Sequence, residues 1–197
     1  MPQRAVFLDR DGTINREASF LGRPSQLELE PAAPEGLKIL QDAGFELIVV
    51  SNQSGVARGY FDEDAVKRVN KTLSRRLAKE GVRLERFYFC PHHPEGVVPE
   101  HARYCHCRKP QPGLLLKAAA EVGIDLKSSY SVGDSLRDLE AGRAAGTKAV
   151  LVMTGFGQEA SREARPGAAD YIARDLADAA RWIVNDSGAA GTSNVNR

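Results

Sequence analysis

Short, continuous apolar runs alternate along this chain with stretches of helical periodicity. Ala5 to Leu8 and residues 45–50 read as strands buried on both faces. A polar residue stops each run, Asp9 the first and Ser51 the second. Between them Leu37, Leu40 and Ala43 share one face of a helix over 34–43, which Gly44 ends. Asp62 reads as the N-cap of a long helix reaching Glu80. An aromatic strand over 84–89 leads into an irregular segment, 90–112, that holds five prolines. The pattern then resumes with a helix over 113–122, a strand over 129–132, a helix over 136–145 and a strand over 148–152. A short strand over 171–172 and a helix over 176–184 complete it. Gly, Ser, Asn and Ala dominate from Asp186 on, which predicts a frayed tail over 186–197.

Strands alternating with helices require crossover units. The expected fold is therefore α/β, a three-layer Rossmann-like parallel sheet with helices on both faces, in a single domain over residues 1–185. In such sheets ligands sit beyond the carboxyl ends of the strands. Asp9, Ser51, Cys90 and Asp134 each follow directly on a predicted strand, which marks that edge as the functional one.

Charge narrows the choice of function. A formal net charge of +1 supplies no bulk field for nucleic acid or an anionic membrane, so neither is an expected partner. No apolar run approaches the ~18 residues of a membrane helix, and the first run is too short for a secretion signal. The expected location is the cytoplasm. No heptad or exposed apolar stripe calls for a partner chain, so a monomer is expected.

Asp9 and Asp11 stand two residues apart in FLDRDGT, with Gly12 next. One carboxylate can attack phosphorus while binding a metal, and the other can serve as acid and base. The bare motif equally suits a turn. Gly12 permits a sharp bend and close approach to an anion. Ser51 to Gly55 offers a hydroxyl and backbone amides for a phosphoryl oxygen, or builds a simple turn. Arg108 and Lys109 precede a helix and supply either fixed cations for phosphate or a solvated basic pair. Asp134 is placed to ligate Mg²⁺, which favours hard oxygen donors. Asp138 reads equally as a supporting acid or an ordinary first-turn helix acid. No Gly-rich loop follows the first strand, which counts against a dinucleotide binder or P-loop protein.

In this order, each after a strand, the segments resemble the phosphatases of the haloacid dehalogenase superfamily over residues 4 to about 155. The resemblance implies roles. Asp9 is the nucleophile and forms an aspartyl-phosphate. Asp11 protonates the leaving oxygen and then activates water. Ser51, Asn52 and Lys109 hold the phosphoryl group. Asp9, Asp134 and the backbone carbonyl of Asp11 bind Mg²⁺. The stretches on either side of Ser51 are too short for a large cap domain, so loops 16–24, 53–61 and 93–104 are left to supply selectivity.

Cys90-Pro91-His92 and Cys105-His106-Cys107 form a C-x-H…C-x-C pattern. Two close pairs separated by a loop suit a tetrahedral metal, and three thiolates with one imidazole leave no open position. A structural Zn²⁺ on Cys90, His92, Cys105 and Cys107 is the expectation. His93, His101 and His106 compete for the imidazole place, and symmetric spacing favours His92. All three cysteines lie here, and an odd count argues against a disulfide framework. Cys107 abuts Arg108 and Lys109, so this zinc loop insertion would aim both cations.

Within the superfamily, FLDRDGTIN, SNQSGVARG, CPHHPEG and CHCRKPQPG resemble the bacterial phosphatases that remove the C7 phosphate of D-glycero-D-manno-heptose 1,7-bisphosphate. Histidinol-phosphate phosphatases share the Asp pair and the zinc site, with a shorter segment between ligand pairs than residues 93–104 here. A non-catalytic binding protein of the same fold is a third reading, and intact Asp9, Asp11, Lys109 and Asp134 stand against it. The small-molecule partner implied is a sugar bisphosphate, with Arg58 and Arg108 as the cations for its second phosphate. Relatives can carry Lys after the Asp of the last motif, where this chain has Ser135.

Overall fold

The computed structural model describes residues 3–84 and 86–188. Its six strands are β1 (Ala5–Leu8), β2 (Glu46–Asn52), β3 (Arg86–Cys90), β4 (Tyr130–Gly133), β5 (Lys148–Val152) and β6 (Tyr171–Ala173). They form one parallel sheet in the order β3-β2-β1-β4-β5-β6. The helices are α1 (Ala33–Asp42), α2 (Glu63–Lys79), α3 (Gly113–Val122), α4 (Leu136–Ala145), α5 (Gly157–Glu163) and α6 (Leu176–Asp186).

The continuous apolar run of β1 now has its reason. Side chains alternate across a strand, so Val6 and Leu8 face one side and Ala5 and Phe7 the other. Val6 and Leu8 join Leu37 and Leu40 of α1, Leu73 and Leu77 of α2, and Ile183 of α6. Ala5 and Phe7 join Leu114, Leu115 and Ala118 of α3 and Ala141 of α4. Both faces are dry, and burial of these side chains is worth roughly 1.5–3 kcal/mol each for the larger ones.

Several boundaries differ from those read off the sequence. Ser51 and Asn52 remain in β2 because they still pair with Phe89 and Cys90, so the polar end of the strand is strand nonetheless. Helix α5 was not anticipated. Its sequence, GQEASRE, carries no apolar stripe and buries only Gly157 and Ala160. The predicted tail begins on the last residue of α6, and Asp186 there accepts hydrogen bonds from Tyr130 Oη at 2.5 Å and Lys148 Nζ at 2.6 Å. The rest of that tail, residues 189–197, lies outside the described residues. Among the described residues no helix is long and apolar enough to cross a membrane. Among the described residues between β1 and β2, and between β2 and α3, only loops, a single-turn helix, α1, α2 and β3 intervene, and they form no large cap domain.

Candidate active site

The parallel sheet places the carboxyl ends of β1, β2 and β4 side by side, and the expected residues meet there. Asp9 leaves β1 with its N–H on Val132 O of β4, at 2.9 Å. Lys109 arrives from the segment before α3 and is 3 % exposed. Its ammonium donates to Asp9 Oδ1 at 2.6 Å and to Val50 O at 2.7 Å, and it pairs with Asp138 Oδ1 at 2.6 Å. Burial by itself would depress the Lys109 pKa, but the Asp138 and Asp9 carboxylates reverse this and raise it above its ordinary value. Lys109 is a permanent cation here.

Asn52 fixes the backbone that carries this lysine. Its Nδ2 donates to Lys109 O and its Oδ1 accepts from Lys109 N, both at 3.0 Å. Ser51 is buried beside it and accepts from Gln53 Nε2 at 2.6 Å.

Asp11 is held by four donors. Arg10 grips it through Nε at 3.1 Å and Nη2 at 2.8 Å, with Asn15 Nδ2 and Gln53 Nε2 each at 2.9 Å. Burial would push the Asp11 carboxyl up, but the Arg10 charge and these bonds hold it below its ordinary value. Arg10, only 1 % exposed, also donates to Asn70 Oδ1 and Gln53 Oε1, at 3.0 Å each. Sequence reasoning gave Arg10, Gln53 and Asn70 no role. The available signal was an arginine between two carboxylates on a buried strand end.

Asp134 follows β4 and accepts from Phe156 N at 2.9 Å. Its carboxylate sits in a cradle that admits only glycine. A Cβ at Gly12 would lie 2.0 Å from Oδ2, and one at Gly155 would lie 2.1 Å from it. Thr154 Oγ1 donates to Gly12 O at 2.6 Å and ties the two loops together. Burial, with Asp9 and Asp138 nearby, raises Asp134 to about 8. Burial likewise raises Asp9 to about 7, although Lys109 opposes it.

These shifts bear on a metal. Asp9, Asp134 and Asp138 bring carboxylate oxygens within 4.8 Å of one another. Lys109 satisfies Asp138 and one oxygen of Asp9, which leaves Asp134 without an ion pair among the described residues. Buried carboxylates in surplus over cations, all hard oxygen donors, fit a divalent cation such as Mg²⁺. Asp138 is already occupied by Lys109 and by the start of α4, where its Oδ2 accepts from Ser135 N at 3.0 Å and Ser135 Oγ at 2.5 Å. Ser135 is thus the cap of α4.

The second cluster lies at the end of β3. Cys90, His92, Cys105 and Cys107 bring their donor atoms together. The three Sγ···Sγ separations are 3.1, 3.2 and 3.4 Å, and His92 Nδ1 stands 3.4 Å from Cys107 Sγ and 3.6 Å from Cys90 Sγ. These are too long for disulfides, near ~2.05 Å, and lie a little inside the ~3.8 Å edge of a tetrahedron with bonds of ~2.3 Å. The donor set fits Zn²⁺. His92 Nε2 sits 2.8 Å from Arg103 Nη2, while His93 contacts Arg58 and His101 lies near Glu63. His106 is exposed. The close Cys90–Cys107 hydrogen bond pulls the Cys107 thiol down to about 5 and pushes Cys90 up.

An open pocket of ≈ 350 Å³ covers the carboxylate cluster. Asp9, Asp11, Asn52, Arg108, Lys109 and Asp134 line it. So does Arg137, which the sequence reading missed. Arg58 does not line it. Its guanidinium instead lies 3.3 Å from His93 Nε2 and 4.0 Å from Glu95.

Comparison with known proteins agrees with this geometry. A HAD-hydrolase-like family model matches residues 106–179. The D-glycero-beta-D-manno-heptose-1,7-bisphosphate 7-phosphatase of Yersinia pestis is 43% identical over 91% of this chain and 94% of its own. The enzyme of the same name from Escherichia coli K12 is 44% identical over 88% and 90%. The D,D-heptose 1,7-bisphosphate phosphatase of B. bronchiseptica, solved with magnesium and phosphate, superposes with a TM-score of 0.84 at 32% identity, covering 93% of this chain and 99% of that one. With the carboxylate cluster, the lysine and the four-donor loop in place, this chain belongs to the family of these heptose bisphosphate phosphatases, among the HAD-like hydrolases.

Proposed function

We propose that the chain is a Mg²⁺-dependent phosphatase that hydrolyses the C7 phosphate of D-glycero-D-manno-heptose 1,7-bisphosphate. The observation that carries the chemistry is Lys109 bonded to Asp9, with Asp11 beside them in one pocket. The Asp9 carboxylate attacks phosphorus, and the bond from phosphorus to the C7 oxygen breaks. Asp11 delivers a proton to that oxygen, which spares the sugar from leaving as a bare alkoxide. Asp11 then takes a proton from water, whose oxygen attacks the aspartyl-phosphate. Phosphate leaves and Asp9 is restored.

The neighbours set these roles. Lys109 stays charged throughout and offsets the repulsion between Asp9 and the phosphate dianion. In the free site Asp11 is ionised, the form that activates water. An arriving dianion raises its proton affinity and favours the acid form needed first. Mg²⁺, held by Asp9, Asp134 and the backbone carbonyl of Asp11, would neutralise charge on the phosphoryl oxygens. Zn²⁺ on Cys90, His92, Cys105 and Cys107 would order the loop that leads directly into Arg108 and Lys109.

The same reading makes the protein a monomeric, cytoplasmic enzyme with one catalytic domain over residues 1–185. Three unpaired cysteines fit a reducing compartment.

The test is phosphate release with Mg²⁺ from both anomers of the heptose bisphosphate and from histidinol phosphate, with Asp9→Asn alongside. A kcat/KM preference for a heptose anomer, lost in Asp9→Asn, is the expected result. Preference for histidinol phosphate would keep the mechanism and overturn the substrate. Turnover retained by Asp9→Asn would remove Asp9 as nucleophile.

A further inference from the structure

Resting on that reading and extending it, we propose that Arg137 joins Arg108 in gripping the phosphate that is not cleaved, and so sets the preference for a bisphosphate over a monophosphate. The cations at the reacting end are already committed. Lys109 serves Asp9 and Asp138, and Arg10 serves Asp11, Asn70 and Gln53. A second phosphate must be met by other positive groups on the pocket wall. Among the described lining residues these are Arg108 and Arg137.

Among the described residues neither has a carboxylate partner. Among those residues Arg108 is anchored through Nη1 to His92 O alone, at 3.3 Å. Arg137 makes no ion pair and no side-chain hydrogen bond among the described residues. Glu159 and Glu163 line the cleft on its other side, yet neither lies within ion-pair distance.

Arg137 is also out of place by local rules. It is the second residue of α4, where the helix dipole disfavours a cation. The Ser135–Asp138 capping bonds fix the turn that presents it. Its neighbour Asp138 faces Lys109 at the reacting end, so one helical turn serves both ends of the pocket. Arg108 and Arg137 line the same pocket. Cations kept near one another without an anion are relieved by a phosphate dianion, which guanidinium forks match in shape.

The experiment compares kcat/KM for the heptose 1,7-bisphosphate with that for the heptose 7-phosphate, which lacks only the C1 group. Wild type, Arg137→Gln and Arg137→Lys are measured with Mg²⁺. The wild type should prefer the bisphosphate. Arg137→Gln should lower that ratio about tenfold or more, chiefly through KM for the bisphosphate, and Arg137→Lys should restore part of it. An unchanged ratio in Arg137→Gln, a wild type without preference, or an equal fall in kcat on both substrates overturns the proposal. A wild type that hydrolyses neither compound overturns the phosphatase reading instead.

Discussion

Asp138 lies 2.6 Å from the Lys109 ammonium, the same distance at which that ammonium meets Asp9. The lysine is thus clamped between the proposed nucleophile and a second carboxylate. Asp138 also caps α4 through its other oxygen. One carboxylate therefore ties the position of a helix to the position of the cation at Asp9.

That double role predicts the behaviour of Asp138→Asn. The neutral amide keeps one acceptor and loses the ion pair, so Lys109 is less firmly held. kcat should fall about 10- to 100-fold with little change in KM, since misplacement by about an ångström has such effects. Loss of the capping carboxylate should cost about 0.5–2 kcal/mol of stability. Steady-state kinetics and urea unfolding on the same preparation check both. A fall in stability with unaltered kcat would reduce Asp138 to a helix cap.

Metal affinity should depend on pH. Burial raises Asp9 to about 7 and Asp134 to about 8, so both groups hold protons in mildly acid solution that Mg²⁺ must displace. Raised carboxyl values give the sign: affinity is low when these groups are protonated and rises as they ionise. The apparent Mg²⁺ dissociation constant should fall from about pH 6 to about pH 8, by up to about tenfold per unit for each proton released. Calorimetry in two buffers of different ionisation enthalpy counts those protons. A constant affinity with no proton release would contradict the assignment.

Much of this site was legible in the sequence because the sheet does the assembling. Asp9, Lys109 and Asp134 are far apart in the chain, but each follows or adjoins a pattern that ends at one sheet edge. Arg10 was not legible. Its meaning depends on Asn70 and Gln53, which lie 60 and 43 residues away. Arg58 and Arg137 could not be told apart from the sequence. Both are arginines near motifs, and only the course of the loop and of α4 decides which one reaches the pocket. Helix α5 escaped notice because a two-residue contact leaves no periodic trace.

The four-donor cluster should carry one zinc per chain, measurable by elemental analysis. Cys105→Ser should lose most of it. The polypeptide around 90–107 lacks an apolar core of its own apart from Cys90 at the sheet, so metal removal should expose it to protease. Activity should fall as well, because Arg108 and Lys109 follow Cys107 directly. Cleavage that is as slow after strong chelation as before would show that the loop orders itself without the metal.

Gly12 separates backbone strain from site geometry. At φ +81° its conformation is costly for any other residue, and an added Cβ would fall 2.0 Å from Asp134 Oδ2. Gly44 has the same φ of +81° with nothing within 4 Å of its Cβ position. Gly44→Ala therefore measures the dihedral cost alone, about 1–2 kcal/mol, and should leave turnover as it is. Gly12→Ala should pay that same strain and also displace Asp134 and the loop at Gly155. Its activity at saturating substrate should drop about 100-fold or more, with a higher Mg²⁺ requirement. Thermal unfolding and Mg²⁺ titrations of the two variants side by side make the comparison. Equal stability losses with full activity in both would mean that the glycine cradle around Asp134 has no part in holding the metal.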